Sequence, residues 1–165
     1  AVGGRHVVTP ANDWGHDLDA MLASVNESTR LMFIANPNNP TGTWANKKDL
    51  RNLLEQIPNH VIVLVDEAYF EYANIEEQYP DCSLWINDFD NLVVTRTFSK
   101  AYALAGLRLG YAFCSSEEVA NALRLATSTF NVNGVAEKAV LAALDDTEYT
   151  KFILESNALE MSKRS

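Results

Sequence analysis

Positions 92–100 read Leu92-Val93-Val94-Thr95-Arg96-Thr97-Phe98-Ser99-Lys100. The apolar start of this stretch is typical of a buried strand, and Lys100 follows the end of that strand among hydroxyl side chains. This position is unfavourable for a solvated surface charge. It suits an amine that must lose its proton and attack a carbonyl group.

Two other apolar runs are also followed by polar side chains. Positions 31–35 precede Asn36-Pro37-Asn38-Asn39-Pro40-Thr41-Gly42, and positions 61–65 precede Asp66-Glu67-Ala68-Tyr69. In an open parallel sheet, ligands bind outside the carboxyl ends of the strands. We therefore expect the amide, the carboxylate with its phenol, and the lysine to form one site along one edge of a sheet.

Strand-like and helix-like segments alternate along the chain, which predicts an α/β fold with a mostly parallel sheet and helices on both faces. Short side chains that accept hydrogen bonds mark several helix starts. The predicted elements are a strand at 6–9, a helix at 18–25 capped by Asp17, a strand at 31–35, a helix through Ile57 capped by Asn46, strands at 61–65, 92–95 and 109–113, a helix opened by a Ser115/Glu118 capping box, a helix at 133–144 and a last helix capped by Thr147.

Composition sets limits on the partners of this protein. The chain has 165 residues, 47% of them hydrophobic, and a formal net charge of −9, which argues against nucleic acid or an anionic membrane as partner. No apolar run approaches the length that spans a bilayer. Cys82 and Cys114 lack a paired spacing, which favours a reduced, cytoplasmic protein. His6, His16 and His60 share no helical spacing, so we expect no metal site.

Each polar feature also has a purely structural interpretation. The Asn/Pro/Gly run is a good multiple turn, Asp66 could cap the turn after its strand, and Arg108 could be an ordinary surface residue. Lys100 could pair with Asp66 or Glu67. However, an aspartate after five buried apolar residues needs a compensating partner. The combination of these features is much rarer than any one of them.

Pyridoxal-phosphate chemistry requires all of these residue types. A lysine attacks the aldehyde of the cofactor, and a carboxylate keeps the pyridine nitrogen protonated. Neutral donors serve the phenolic oxygen of the ring, while hydroxyls and a forked guanidinium suit the phosphate. The candidates of matching type are Lys100, Asp66, Asn39, Tyr69, Thr97, Ser99 and Arg108.

Four motifs occur in order along the chain: Asn-Pro-Asn-Asn-Pro-Thr-Gly, Asp-Glu-Ala-Tyr, Thr-Phe-Ser-Lys-Ala-Tyr and Leu-Ala-Gly-Leu-Arg-Leu-Gly-Tyr. With them the sequence resembles the fold-type-I pyridoxal-phosphate aminotransferases over nearly its whole length. The segments 65–72 and 130–146 make the resemblance closer to the histidinol-phosphate aminotransferases.

The resemblance implies a role for each candidate residue. Lys100 would be the Schiff-base lysine, Asp66 the partner of the pyridinium, and Asn39 and Tyr69 the donors to the ring oxygen. The phosphate would be held by Thr97, Ser99 and Arg108. Ala103 stands where such enzymes often carry glycine, and we expect alanine to fit there if the backbone keeps negative φ. The strand at 109–113 is expected to be antiparallel, because its connection from Lys100 is too short for a crossover helix.

By the same resemblance, residues 1–146 form part of a pyridoxal-phosphate-binding large domain, and residues 147–165 a helix leading toward a small domain outside the chain. The implied reaction is amino transfer between histidinol phosphate and 2-oxoglutarate in histidine biosynthesis, by a homodimer. An aromatic aminotransferase and a threonine-phosphate decarboxylase are the near alternatives, and a non-catalytic cofactor-binding fragment is the alternative of another class. We expect the 165 residues alone to be inactive, because the substrate-binding arginine of such enzymes lies outside them.

Overall fold

The computed structural model describes residues 3–163. Four strands form the central sheet, and two shorter strands form a hairpin before it. The elements in chain order are β1 (Ala11–Asn12), β2 (Gly15–His16), α1 (Leu18–Ala23), β3 (Leu31–Ala35), α2 (Lys47–Gln56), β4 (Ile62–Asp66), α3 (Phe70–Ala73), β5 (Leu92–Thr97), β6 (Gly110–Cys114), α4 (Glu117–Ala126), α5 (Gly134–Asp145) and α6 (Thr147–Ser162), with 3₁₀ turns at Cys82–Trp85 and Ala105–Leu107.

The central sheet has the order β3-β4-β5-β6. Strands β3, β4 and β5 are parallel, and β6 is antiparallel to β5. The predictions of a mostly parallel sheet and of an antiparallel last strand are therefore confirmed. The register pairs Ala35 with Asp66, and Asp66 with Thr95. The carboxyl ends of the three parallel strands consequently lie side by side.

Helices α1 and α2 begin where side-chain caps predict. The Asp17 carboxylate accepts a hydrogen bond from the amide of Ala20, and the Asn46 side chain accepts one from the amide of Asp49. Both bonds satisfy amides that a helix leaves without an internal partner. The apolar face of α2 packs against the sheet and forms the main core with it. This core consists of Met21, Met32, Ile34, Leu50, Leu53, Leu54, Ile57, Val61, Val63, Val65, Cys82, Trp85, Leu92 and Val94.

The opposite face of the sheet is covered unevenly. Val93 on β5 is 2% exposed, whereas Leu31 and Phe33 on the edge strand β3 are 44% and 61% exposed. Side chains on a strand alternate between the two faces. Leu64 pairs with Phe33 and with Val93, so it lies on the same face as these two residues. Asp66, two residues after Leu64, therefore belongs to the face that is open at β3.

Three local predictions are wrong. Positions 6–9 are not a strand; instead β1 and β2 form a hairpin around Asp13 and Trp14, both with positive φ. This turn conformation usually carries Asn-Gly or Asp-Gly, so its sequence signal is weak here.

The two other errors concern helix caps. Ser116, not Ser115, caps α4, and Asp146, not Thr147, caps α6. Ser116 has the extended backbone that directs its hydroxyl at the amide of Val119. The Ser115 hydroxyl is buried without a hydrogen-bond partner among residues 3–163.

The condition for an unstrained alanine at position 103, a negative φ, is not met. Its φ is +56°, in the left-handed region where a Cβ atom crowds the backbone. The turn between Lys100 and the 3₁₀ turn therefore has the conformation that favours glycine, although the residue is alanine.

Within residues 3–163, no helix is both long and apolar enough to cross a membrane. The same residues contain no group of three or more His, Cys, Asp and Glu side chains that could hold a metal ion.

Candidate active site

The ends of β3, β4 and β5 place the predicted residues along one edge of the sheet. The amide of Asn36 donates to the Asp66 carbonyl at 2.9 Å, and the amide of Glu67 donates to the Thr95 carbonyl at 2.8 Å. These two bonds continue the parallel ladder to the last residues of the strands. The loops that carry Asn39, Tyr69 and Lys100 therefore leave the sheet at adjacent points.

Asn39, Tyr69 and Lys100 form a connected group. The Asn39 amide nitrogen donates to the Tyr69 hydroxyl at 3.1 Å, across 30 residues of sequence. The Lys100 Nζ atom lies 5.1 Å from the centroid of the Tyr69 ring, within the range of a cation–π contact. The amide orients the phenol, and the phenol ring attracts the ammonium.

Asp66 and Lys100 are both exposed in this structure, so the expectation that they are shielded from water is wrong for residues 3–163. The reason is the position of Asp66 on the sheet face that is open at β3. Its carboxylate accepts a hydrogen bond from the Thr95 hydroxyl at 3.0 Å. Neither Asp66 nor Glu67 forms an ion pair with Lys100, and Glu67 pairs with Arg96 instead.

Thr97 and Ser99 form a hydroxyl pair at the end of β5. The Thr97 hydroxyl donates to the Ser99 hydroxyl at 2.9 Å and accepts from the Ser99 amide at 3.1 Å. Arg108 is exposed, has a φ of +54° and donates to the Ala105 carbonyl at 2.8 Å. The carbonyl of the next residue, Leu109, accepts from the Thr97 hydroxyl at 3.4 Å, so the backbone that follows Arg108 contacts the hydroxyl pair.

A cavity of about 840 Å³ opens at this edge of the sheet. Four of the seven predicted residues line it: Asn39, Tyr69, Ser99 and Lys100. Asp66, Thr97 and Arg108 are not among its lining residues. Other parts of the wall come from the Asn-Pro loop, α3 and α6, namely Pro37, Asn38, Pro40, Gly42, Trp44, Tyr72, Ala73, Ile75, Glu76, Asn157, Ala158 and Met161. The cavity combines an amine, an amide, a phenol and a hydroxyl with apolar walls, a donor set that suits a phosphorylated aromatic aldehyde.

Sequence reasoning missed the buried polar residues behind the site. Glu67 and Asn36 are fully buried, and Arg96 is 9% exposed. Asn36 accepts from the Ala45 amide at 2.7 Å, and its own carbonyl accepts from the Tyr79 hydroxyl at 2.5 Å. Burial raises the pKa of Tyr79, which keeps its hydroxyl a donor. A usable signal was Arg96 itself, because a charge within an otherwise apolar strand requires a buried partner.

Residues 3–164 match the sequence model of the family described as aminotransferase class I and II. The chain belongs to this family.

Several curated relatives are similar to almost the whole chain. Histidinol-phosphate aminotransferase 1 of Idiomarina loihiensis is 48% identical over 161 residues, which are 98% of this chain and 43% of the relative. Histidinol-phosphate aminotransferase 2 of Pseudomonas fluorescens is 51% identical over 149 residues, 90% of this chain and 40% of the relative. The chain thus spans about two-fifths of the length of these relatives.

A solved structure agrees with the fold. The histidinol-phosphate aminotransferase from Sinorhizobium meliloti, described as a complex with pyridoxal 5′-phosphate, superimposes with a TM-score of 0.84 at 34% identity. The match covers 92% of this chain and 41% of that protein. The expected fold, a mostly parallel sheet from a fold-type-I aminotransferase, is confirmed.

Proposed function

We propose that the protein containing this chain is a pyridoxal-phosphate-dependent aminotransferase that exchanges the amino group of histidinol phosphate with 2-oxoglutarate in histidine biosynthesis. The observation that carries the proposal is the cavity lined by Asn39, Tyr69, Ser99 and Lys100. The choice of histidinol phosphate as the substrate is supported by relatives named histidinol-phosphate aminotransferase, which are 45–51% identical to the chain. Residues 1–146 then act as part of the cofactor-binding domain, and residues 147–165 lead out of it.

Bound at this edge of the sheet, pyridoxal phosphate would supply an electron-accepting ring that stabilises negative charge at the substrate Cα. Lys100 would hold the cofactor through Nζ, and its free amine would move the proton at the substrate Cα. Asp66 holds a proton on the ring nitrogen by accepting a hydrogen bond from it. Thr95 supports this role, because its hydroxyl fixes one oxygen of the Asp66 carboxylate.

Asn39 and Tyr69 serve the phenolic oxygen of the ring. The bond from Asn39 to the Tyr69 hydroxyl leaves the hydroxyl hydrogen to be donated outward. The hydroxyls of Thr97 and Ser99 bind the phosphate. Arg108 joins them, because a guanidinium carries five N–H donors and the bond to Ala105 uses one.

We also propose that the whole protein is a cytoplasmic homodimer that binds a small amino donor and a 2-oxo acid. Exposed apolar side chains on α5 and α6, with Leu141 60% and Phe152 61% exposed, support further packing against this part of the chain. Sedimentation of the complete gene product at several concentrations tests the dimer. A monomer at all concentrations would contradict it.

The activity is tested on the complete gene product with pyridoxal phosphate, histidinol phosphate and 2-oxoglutarate, with glutamate formation as the measurement. We expect glutamate at a rate well above that with phenylalanine as donor. O-Phosphothreonine is included with carbon dioxide release as its measurement. Preferred turnover of phenylalanine would indicate an aromatic aminotransferase, carbon dioxide release a decarboxylase, and cofactor binding without either product a binding protein. Each of these results would contradict the proposal.

A further inference from the structure

Glu67 and Arg96 form a buried ion pair directly behind the candidate site. Their side chains are 0% and 8% exposed, and both Nε and Nη2 of Arg96 donate to one Glu67 oxygen, at 2.9 and 2.7 Å. Neighbouring residues on a strand point to opposite faces. The Asp66–Thr95 hydrogen bond on the site face therefore has a counterpart on the other face, and both join the end of β4 to β5.

One short segment, residues 79–82, ties this pair to all three strand ends. The Asp81 carboxylate accepts from Arg96 Nη2 at 2.6 Å, and the Cys82 amide donates to Glu67 Oε1 at 2.9 Å. The Tyr79 hydroxyl bonds to the Asn36 carbonyl just after β3. The segment thus contacts the residues that follow β3 and β4 and a residue of β5, without lying in the cavity.

The ion pair also holds the start of α3. The Arg96 Cζ atom lies 3.3 Å from the centroid of the Phe70 ring, and Phe70 directly follows Tyr69. Burial raises the pKa of the Glu67 carboxyl, and the Arg96 guanidinium opposes that rise. A buried ion pair often stabilises a fold no more than apolar residues of the same volume, so its value can lie in the geometry that it specifies.

We propose that Glu67 and Arg96, supported by the segment 79–82, are positioning residues that hold Asp66 and Tyr69 at a fixed distance from one another. The catalytic consequence rests on the proposed function, whereas the positioning itself does not. Neither Glu67 nor Arg96 lines the cavity. The pair acts through Asp66, which directly precedes Glu67, and through Tyr69, which directly precedes Phe70.

Hydrogen exchange of single amides in the cofactor-free complete gene product tests the proposal. The amides of Asn36 and Glu67 report the site end of the sheet, since they donate to the carbonyls of Asp66 and Thr95. The amides of Ile62 and Val63 donate to the Arg30 and Asn91 carbonyls and report the far end of the same strands. General loosening of the sheet accelerates both ends, whereas lost positioning accelerates the site end alone.

In Glu67→Gln we expect exchange at the site end to become about tenfold faster or more, with the far end unchanged. Asp88→Asn is the matched control, because it removes a carboxylate from an exposed ion pair with Arg51 at 3.0 Å. It should change neither end. Equal acceleration of both ends in Glu67→Gln would overturn the proposal in favour of general stabilisation, and so would no acceleration at the site end.

Asp81→Asn keeps the test decisive if Glu67→Gln does not fold. Asp81 is 25% exposed, and its carboxylate takes no part in the Glu67–Arg96 hydrogen bonds. We expect a smaller acceleration confined to the same two amides. Unchanged exchange there would overturn the proposal.

A second measurement uses the cofactor-loaded enzyme. We expect Glu67→Gln to lower kcat between about tenfold and about a hundredfold, with little change in KM, because misplaced groups slow the reaction more than they weaken binding. A loss confined to KM would contradict positioning. Failure of the aminotransferase assay in the wild type would remove the proposed function, while the exchange result would still decide the positioning.

Discussion

Ala103 lies three residues after Lys100 with a φ of +56°. A left-handed conformation costs a residue with a Cβ atom about 1–2 kcal/mol, and glycine avoids that cost. Glycine also loses more backbone freedom on folding, which offsets part of the gain. The strain at Ala103 lies in the turn that leads from Lys100 toward Arg108.

We therefore expect Ala103→Gly to stabilise the fold by about 0.5–1 kcal/mol, measured by urea unfolding of the complete gene product. Ala105→Gly is the matched control, because Ala105 is not among the residues with positive φ. It should destabilise the fold. If both glycine variants lower stability by the same amount, the strain at Ala103 has no energetic weight.

Glu71 is a half-buried carboxylate on α3, and burial raises its pKa above the ordinary value of 4.5. The folded protein therefore keeps this proton to a higher pH than the unfolded chain does. Protonation of Glu71 thus stabilises the folded state. This stabilisation is fully present below the pKa of the unfolded chain and is lost as the pH rises through the pKa of the folded protein.

Glu71→Gln should accordingly gain free energy of unfolding relative to the wild type as the pH increases from about 4 to 7. Urea unfolding at several pH values gives this difference. Glu77→Gln, at an exposed position, controls for the loss of one negative charge. A Glu71→Gln difference that stays constant with pH would mean that this carboxyl does not carry the effect.

At the scale of elements, β5 and β6 approach closely where Gly110 pairs with Thr97. A Cβ atom at Gly110 would lie 2.8 Å from the Arg96 carbonyl oxygen, closer than two such atoms can pack. The absence of a side chain at this position therefore lets the antiparallel strand pair with β5 beside the hydroxyl pair Thr97 and Ser99.

Gly110→Ala should destabilise the protein by about 1–3 kcal/mol, since the strands must separate or shift to admit the methyl group. Gly106→Ala is the matched control, because a Cβ atom there meets no atom within 4 Å. Urea unfolding of both variants measures the difference. Equal stability of the two alanine variants would show that β6 can move without cost.

Apolar runs and caps predicted the elements that carry the site. The runs before Asn36, Asp66 and Thr97 are strands, and Asp17 and Asn46 cap their helices. These signals depend only on residues that are close in the sequence, so they can be recognised from the sequence alone. The exposure of Asp66 could not be predicted in this way, because it depends on what covers the second face of the sheet.

Predictions based on single residues were less accurate than those based on runs. The helix starts at Ser116 and Asp146 each differ by one residue from the prediction, because adjacent side chains compete for the same cap. The Glu67–Arg96 pair joins residues 29 positions apart. Only the strand register brings those two charges together.

At the scale of the whole molecule, the candidate site is open to solvent on one side. Asp66 and Lys100 are exposed, and Phe33 lies on the sheet face that is open at β3. The chain spans about two-fifths of its relatives. Enzymes draw a large part of their rate from oriented groups in a site that excludes water.

Residues 1–165 by themselves should therefore produce no glutamate above background from histidinol phosphate and 2-oxoglutarate. The complete gene product, assayed in parallel, is the positive control. Turnover by residues 1–165 close to that of the complete product would mean that the open cavity is already a working site.

The central claim is that Lys100 holds pyridoxal phosphate. The direct measurement is borohydride reduction of the complete gene product incubated with the cofactor, followed by peptide mapping by mass spectrometry. Lys48, exposed at the start of α2, provides the control substitution Lys48→Ala. We expect the reduced adduct on the peptide that contains Lys100, its loss in Lys100→Ala and its retention in Lys48→Ala. An adduct on another lysine, or one that persists in Lys100→Ala, would contradict the claim.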